Sequence, residues 1–213
     1  MIIEKLSCLK DSAQALIIAA APESSPAAVL RSFERSSGCW RPAFPAMAAV
    51  IGRNGFSAAK AEGDGCSPAG VFRLGLCFGK SANPGTRLAY RQTAPRDCWV
   101  DDSRSAWYNT WQTEPARGRW RSAEKLRRPD HLYDYAVVIH YNTDPPVPGQ
   151  GSAIFLHIWE GPGRGTLGCT ALAQDHLLQL IRWLDPAARP LLIQGPLSEL
   201  AKWQYVPGFE NAR

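Results

Sequence analysis

The 213-residue chain has no apolar run long enough to cross a bilayer; its longest clearly apolar stretch, residues 15–21, is far too short. None of its six cysteines (Cys8, Cys39, Cys66, Cys77, Cys98 and Cys169) forms a C-x-x-C pair. Zinc-ribbon and thioredoxin-type chemistry therefore lack their ligand spacing. Heptad, collagen and solenoid periodicities are absent, which excludes coiled coils and stacked-repeat architectures. Neither sign of charge dominates. A net charge of +5 is too mild to mark a nucleic-acid protein. With 20% charged and 45% hydrophobic residues, the balance also excludes global disorder.

What the chain does contain is 18 glycines, 17 prolines and 8 tryptophans, which points to many turns and an aromatic-rich core or groove. That mixture predicts a mostly β (α+β) fold with a few short helices rather than a helix bundle. The length fits one domain over residues 1–213, with a loop-rich insertion at about 79–130. Trp99, Trp107, Tyr108 and Trp111 make that insertion too apolar for a free tether. At the N-terminus, Lys5 and Lys10 are offset by Glu4 and Asp11. Residues 15–21 read either as a short signal core ending at Ala19-Ala20-Ala21 or as a buried first strand. The balanced charge upstream favours the strand.

Residues 26–35 predict a short helix, with Ser25 as cap, Pro26 at the first position and Val29, Leu30 and Phe33 on one face. Residues 47–51 predict a strand ended by the turn Gly52-Arg53-Asn54-Gly55, and residues 71–76 predict another. Residues 135–139 and 153–159 are apolar on successive positions, which predicts strands buried on both faces. Residues 175–184 predict the clearest helix, capped by Asp175, striped by Leu177, Leu180, Ile181 and Leu184, and stopped by Pro186. The basic run Arg117, Arg119, Arg121, Lys125, Arg127 and Arg128 is interrupted by Glu124 alone. It reads as a solvated face, with an anionic-polymer footprint as the sharper alternative.

The informative segment is 154–172. A strand delivers His157, a loop with Gly161, Gly163 and Gly165 follows, and then comes Thr166-Leu167-Gly168-Cys169-Thr170. A thiol becomes a nucleophile when a nearby imidazole takes its proton. A glycine before the cysteine exposes successive amide N–H groups that can hold an oxyanion, typically worth ~3 kcal/mol per donor. His131, His140 and His176 show no such partner and read as structural. If one cysteine is a working thiol, an odd number remains, so disulfides are allowed but not required.

His157 followed by Thr166-Leu167-Gly168-Cys169 resembles the signature of the L,D-transpeptidase catalytic domain family, the YkuD type, in its short-loop branch. Four further stretches agree with that branch: Ile51 to Gly55, Gly63 to Phe72, Tyr133 to Asn142, and Gly151 to His157. The resemblance runs over about residues 15–195. It implies a mostly β, sandwich-like domain that cross-links peptidoglycan. Cys169 would be the nucleophile and His157 the base, oriented by the backbone carbonyl of Ile158. The amides of Leu167, Gly168 and Cys169 would form the oxyanion hole. The partners implied are peptidoglycan stem peptides, as donor and acceptor, with no cofactor, metal, nucleic acid or membrane span. The implied location is the periplasm or cell wall, which expects an export signal that this chain does not clearly carry. Trimming of the stem by water, or silent binding of peptidoglycan, remain alternatives on the same residues.

The chain departs from the family pattern at three places, the first being Ile158, which follows His157 where a glycine is common. Leu167 stands where many relatives have histidine, and Ala171 where many have a carboxylate-clamping arginine. Arg164 is a replacement clamp or a solvated loop charge, and Trp159 walls the donor groove or belongs to the core. Thr166, Asn142, Tyr108, Asn109 and Asp102 are candidate groove residues, against the alternative that Asp and Asn tie loops to the backbone. Arg53-Asn54-Gly55 and Gly63-Asp64-Gly65 read as structural turns, and Cys66 has no assigned role.

Overall fold

The computed structural model describes residues 7–20 and 25–200, with Ser7 described in its backbone alone. Glu4, Lys5 and Ala21, which entered the N-terminal reading, lie outside the described residues. The chain is mostly β. In order the strands are β1 (Gln14–Ala20), β2 (Ala27–Ser36), β3 (Cys39–Pro42), β4 (Met47–Val50), β5 (Phe56–Ser57), β6 (Ser67–Pro68), β7 (Gly70–Gly79) and β8 (Tyr90–Gln92). They continue as β9 (Asp97–Val100), β10 (Trp111–Thr113), β11 (Ala123–Lys125), β12 (Ala136–Ile139), β13 (Phe155–Ile158), β14 (Thr170–Leu172) and β15 (Leu191–Pro196). The helices are α1 (Gln174–Trp183) and α2 (Leu197–Leu200).

The main sheet runs β1-β15-β7-β12-β13-β14-β4-β2-β3, and β1 also pairs with β2. Those pairings bring the sheet back on itself as a closed barrel. Its inner strands thus have no free edge, and the two layers of the expected sandwich are one continuous surface. Most neighbours are antiparallel; β1 with β15, β7 with β8, and β13 with β14 are parallel, the last pair with His157 opposite Ala171.

Residues 26–35 are not the helix their N-terminal signals predict; they form β2. Ala28, Leu30 and Ser32 point inward while Ala27, Val29 and Arg31 are exposed, a period of two. Antiparallel pairing with β1, β3 and β4 supplies the backbone hydrogen bonds, so tertiary pairing overrides the cap signal. Ser25 still accepts the Ala27 N–H at 3.1 Å. The helix expected at 175–184 is α1, but Ala173 occupies its cap position with no side-chain hydrogen bond. Asp175 instead sits in the first turn, where its charge favours the helix dipole. The strand reading of 15–21 holds for its described residues. The strand expected over 71–76 extends over Gly70–Gly79, and that over 153–159 contracts to Phe155–Ile158 because Ala153 has φ +53°.

Two apolar clusters use the two faces of the central strands. Leu156 and Ile158 join Leu16, Leu30, Val137, Ile139 and Leu192, and α1 covers them with Leu177, Leu180 and Ile181. Phe155, one position out of phase, faces the other way, with Phe78, Trp99, Tyr133 and Val138. His157 shares that second face. Burying each large side chain stabilises by roughly 1.5–3 kcal/mol. The 79–130 region carries its own sheet, β10-β9-β11, packed by Trp99 and Trp111 against Phe155 and Phe78.

Candidate active site

Residue alternation puts His157 on the insertion-facing side of β13. Its ring is 6% exposed and meets Tyr133 edge-on, with centroids 5.1 Å apart. Nδ1 lies 2.7 Å from the carbonyl oxygen of Ile158. A carbonyl can only accept, so Nδ1 carries the proton and Nε2 is the bare nitrogen. Burial holds the imidazole at about 4, against 6.5 ordinarily, despite the opposing pull of the Ile158 carbonyl. The ring is neutral at pH 7.

Cys169 immediately precedes β14, and the parallel register with β13 brings its sulfur back beside the start of β13. Sγ accepts from Phe155 N–H at 3.3 Å and donates to Ala153 O at 3.2 Å. Burial first, and then the nearby Glu124, push the thiol up to about 12, while Phe155 N–H and the Tyr133 hydroxyl pull the other way. The resting pair is therefore a thiol and a neutral imidazole, not an ion pair.

The turn that carries Cys169 is fixed from below. Buried Ser67 places its Oγ 2.8 Å from Gly168 O and 3.0 Å from Cys169 O, and accepts from Gly52 N–H at 2.9 Å. Thr166 Oγ1 donates to Cys169 O at 2.5 Å and accepts from Gly168 N–H at 3.1 Å. That last bond engages one of the three amides expected in the oxyanion hole, so a hole built from all three needs it to break. Gly168 has φ +147°, and a Cβ there would stand 3.0 Å from Cys66 O and 3.3 Å from Lys60 Nζ. Only glycine fits this position without displacement.

A cavity of about 560 Å³ opens onto both residues. Of the sequence-predicted groove residues, Trp159, Arg164, Thr166 and Leu167 line it. Leu167 is 74% exposed at its lip. Arg164 pairs with Glu160 at 3.1 Å, both well exposed. Asp102, Tyr108, Asn109 and Asn142 do not line the cavity; their side chains hold loops. Asp102 accepts the N–H groups of Arg104 and Arg121. Tyr108 donates to Glu62 Oε2 and accepts from Gly151 N–H. Asn109 accepts from Trp99 Nε1 at 2.7 Å and Ala153 N–H at 3.1 Å, and donates to the Asn142 carbonyl at 2.6 Å. Asn142 donates to Val147 O and Gly151 O.

The cavity is also lined by Glu124, Arg128 and Tyr133, to none of which the sequence reading gave a role at the site. Glu124 and Arg128 sit in the run read as a solvated face. Arg117, Arg119, Arg121 and Lys125 are indeed exposed, but Glu124, Arg127 and Arg128 are half-buried. The signal that could have singled out Glu124 is its isolation as the one acid among six bases. The Tyr133 hydroxyl is hydrogen-bonded to Glu124 Oε1, and the Arg128 guanidinium lies 5.3 Å from the Tyr133 ring centroid. Arg128 is paired with Asp130 at 2.7 Å. Burial pushes the Glu124 carboxyl above its ordinary range.

All six cysteines are free, so the thiol of Cys169 has no disulfide partner. His140 has Thr143 Oγ1 3.4 Å from its Nδ1, His131 is exposed, and the buried Nδ1 of His176 has no hydrogen-bond partner among the described residues. No helix of the described residues is long and apolar enough to cross a membrane.

No curated protein matches the chain. Among solved structures it resembles the helical cell shape determining protein Pgp2 from Campylobacter jejuni, at 15% identity and TM-score 0.45, over 86% of this chain and 48% of that one. It also resembles Bd1075 from Bdellovibrio bacteriovorus, at 16% identity and TM-score 0.45, over 91% of this chain and 53% of that one. The chain spans about half the length of either protein. The YkuD family, the L,D-transpeptidase catalytic domain, matches residues 40–193, a span that contains both His157 and Cys169. The chain belongs to the YkuD family of L,D-transpeptidase catalytic domains.

Proposed function

We propose that the protein is a cysteine-dependent acyltransferase acting on peptidoglycan stem peptides, with Cys169 as nucleophile and His157 as base. One observation supports this reading above the others. Adjacent parallel strands bring a thiol on a glycine-preceded turn and an imidazole of fixed tautomer to one cavity. The chemistry follows from that arrangement. The Sγ proton passes to Nε2 of His157 as sulfur attacks the carbonyl of the third stem residue. The amides of Leu167 and Cys169 receive the oxyanion, joined by Gly168 once Thr166 releases it. The tetrahedral intermediate collapses, the imidazolium proton goes to the leaving D-alanine nitrogen, and a thioester remains on Cys169. An amine of a second stem then attacks the thioester, with His157 again taking the proton.

The two arginines of the cavity wall are the candidates for the substrate carboxylate, in place of the arginine that Ala171 replaces. Arg128 is the more enclosed, with side-chain exposure of 35% against 68% for Arg164. The reading places the protein where its substrate lies, in the periplasm or cell wall.

The test is mass spectrometry of products from purified disaccharide-tetrapeptides, with wild type and Cys169→Ala. Cross-linked dimers made by wild type alone are expected. Tripeptides without dimers would replace transfer by hydrolysis at the same site. Neither product, with no thioester mass on Cys169, would leave a peptidoglycan-binding module.

A further inference from the structure

Tyr133 packs against His157 and shares a buried cluster and the cavity wall with Cys169. It is 4% exposed, its ring packs edge-on against His157 at 5.1 Å, its hydroxyl donates to Glu124 Oε1, and that hydroxyl pulls the Cys169 thiol down against the effect of burial. A phenol has a single proton to donate. Where that proton points depends on Glu124. An ionised Glu124 takes it, and the phenol then offers only lone pairs to sulfur. A protonated Glu124 donates to the phenol oxygen instead, which frees the phenol proton for sulfur. We propose that Tyr133 is a further catalytic residue, the hydrogen-bond donor that stabilises the Cys169 thiolate, and that Glu124 is the positioning residue that turns its hydroxyl toward sulfur.

The proposal rests on Cys169 being the nucleophile and adds what the pair itself lacks. Neither Cys169 nor His157 is charged at rest, so the thiolate formed on proton transfer to Nε2 needs donors. Phe155 N–H is one, at 3.3 Å. The Tyr133 hydroxyl is the other; it keeps its proton throughout and shares it with the sulfur. The charged groups around Tyr133 are consistent with this. Arg128 lies over its ring and is held by Asp130, Lys60 acts on Cys169 from behind the Gly168 turn, and burial first and then Glu124 raise both the phenol and the thiol. An ionised Glu124 thus opposes the thiolate twice, through its charge and through the phenol it captures.

The two residues should act with opposite sign. The experiment is the rate of Cys169 alkylation by iodoacetamide against pH, read by peptide mass spectrometry to separate Cys169 from the exposed Cys39. Wild type, Tyr133→Phe and Glu124→Gln are compared, each checked for an intact circular-dichroism melt. Tyr133→Phe keeps the ring and should move the profile to higher pH, slowing alkylation near neutrality about tenfold, as loss of a charge-assisted hydrogen bond implies. Glu124→Gln should move it to lower pH. An unmoved profile in folded Tyr133→Phe, or a shift of both variants in one direction, would overturn the proposal. If Tyr133→Phe does not fold, the direction of the Glu124→Gln shift decides. The assay reads the thiol and not the product, so failure of the transferase reading in the muropeptide experiment would leave this result standing.

Discussion

The wall of the cavity formed by β13 and β14 is held by strand pairing and by hydrogen bonds to backbone carbonyls, while the wall formed by the end of the insertion and Tyr133 just beyond it is held by contacts between side chains. On the first, strand pairing, the Ile158 carbonyl, and Ser67 and Thr166 bonded to the carbonyls around Cys169 fix the Cys169 thiol and the His157 imidazole, both uncharged at rest. On the second, Glu124, Tyr133, Arg128 and Asp130 hold one another, and each can be ionised or bears charge. The barrel thus supplies position and the insertion supplies the field. Such a division suits a reaction in which charge appears only in transit, because a low-dielectric seat strengthens every donor aimed at that charge. It also predicts that the two walls answer differently to pH and to mutation.

The largest expected effect is on the barrel wall. His157 is buried and neutral, held at about 4 against 6.5 ordinarily. As pH falls below about 6.5 the unfolded chain takes the proton first. Stability is therefore full above that value and is lost as pH falls through the folded value near 4. The shift corresponds to about 3 kcal/mol. Denaturant unfolding of wild type and His157→Gln at pH 7 and pH 4.5 should show the wild type losing more across that interval. Glu124, raised on the opposite wall, has the reverse sign: its contribution is full below the ordinary carboxylate range and lost as pH rises through its folded value. Equal acid sensitivity of wild type and His157→Gln would refute the burial argument.

The seam between the walls should come next. Asn109 is 4% exposed, has φ +56°, and ties Trp99 of the insertion to Ala153 of the barrel. Asn109→Ala would leave the Trp99 indole N–H and the Ala153 N–H without their acceptor, in a left-handed conformation that suits alanine less than asparagine. A loss of about 2–3 kcal/mol is expected from those unmet donors. Because Ala153 O is the acceptor of the Cys169 thiol, turnover should fall even at temperatures where the variant is folded. An unchanged thermal midpoint would show that the two walls are held independently.

How much of this was legible in the sequence follows the same division. The barrel strands were readable because β12 and β13 are apolar on successive residues, and His157 and Cys169 because one short segment carries both. The β2 region reads as a helix because Ser25, Pro26 and a Val29-Leu30-Phe33 face imitate a helix start, while the pairing that makes it a strand comes from the flanking β1, β3 and β4, which its own ten residues do not show. Glu124 and Arg128 were hidden by their neighbours. Four exposed bases around them make the whole run look solvated, and only folding of the insertion turns those two toward the thiol. Asp102, Tyr108, Asn109 and Asn142 read either as groove residues or as loop ties; their side chains tie loops, for which Asn109 and Asn142 at positive φ are the local sign.

The smallest expected effect separates the two arginines. Arg164 and its partner Glu160 are both exposed, so Arg164→Gln should change stability by less than about 0.5 kcal/mol. Arg128, pressed between Asp130 and the Tyr133 ring, has fewer conformations to lose when a carboxylate arrives, and its planar fork suits that ligand better than a mobile loop charge. If it is the substrate contact, Arg128→Gln should raise KM for tetrapeptide donors by about tenfold, the order expected for a lost charge-assisted bond, while Arg164→Gln leaves KM nearly unchanged. Steady-state release of D-alanine measures both. A rise confined to Arg164→Gln would move the carboxylate to the loop between base and nucleophile. Substrate would then be gripped by the barrel wall, and the insertion would act on the thiol alone.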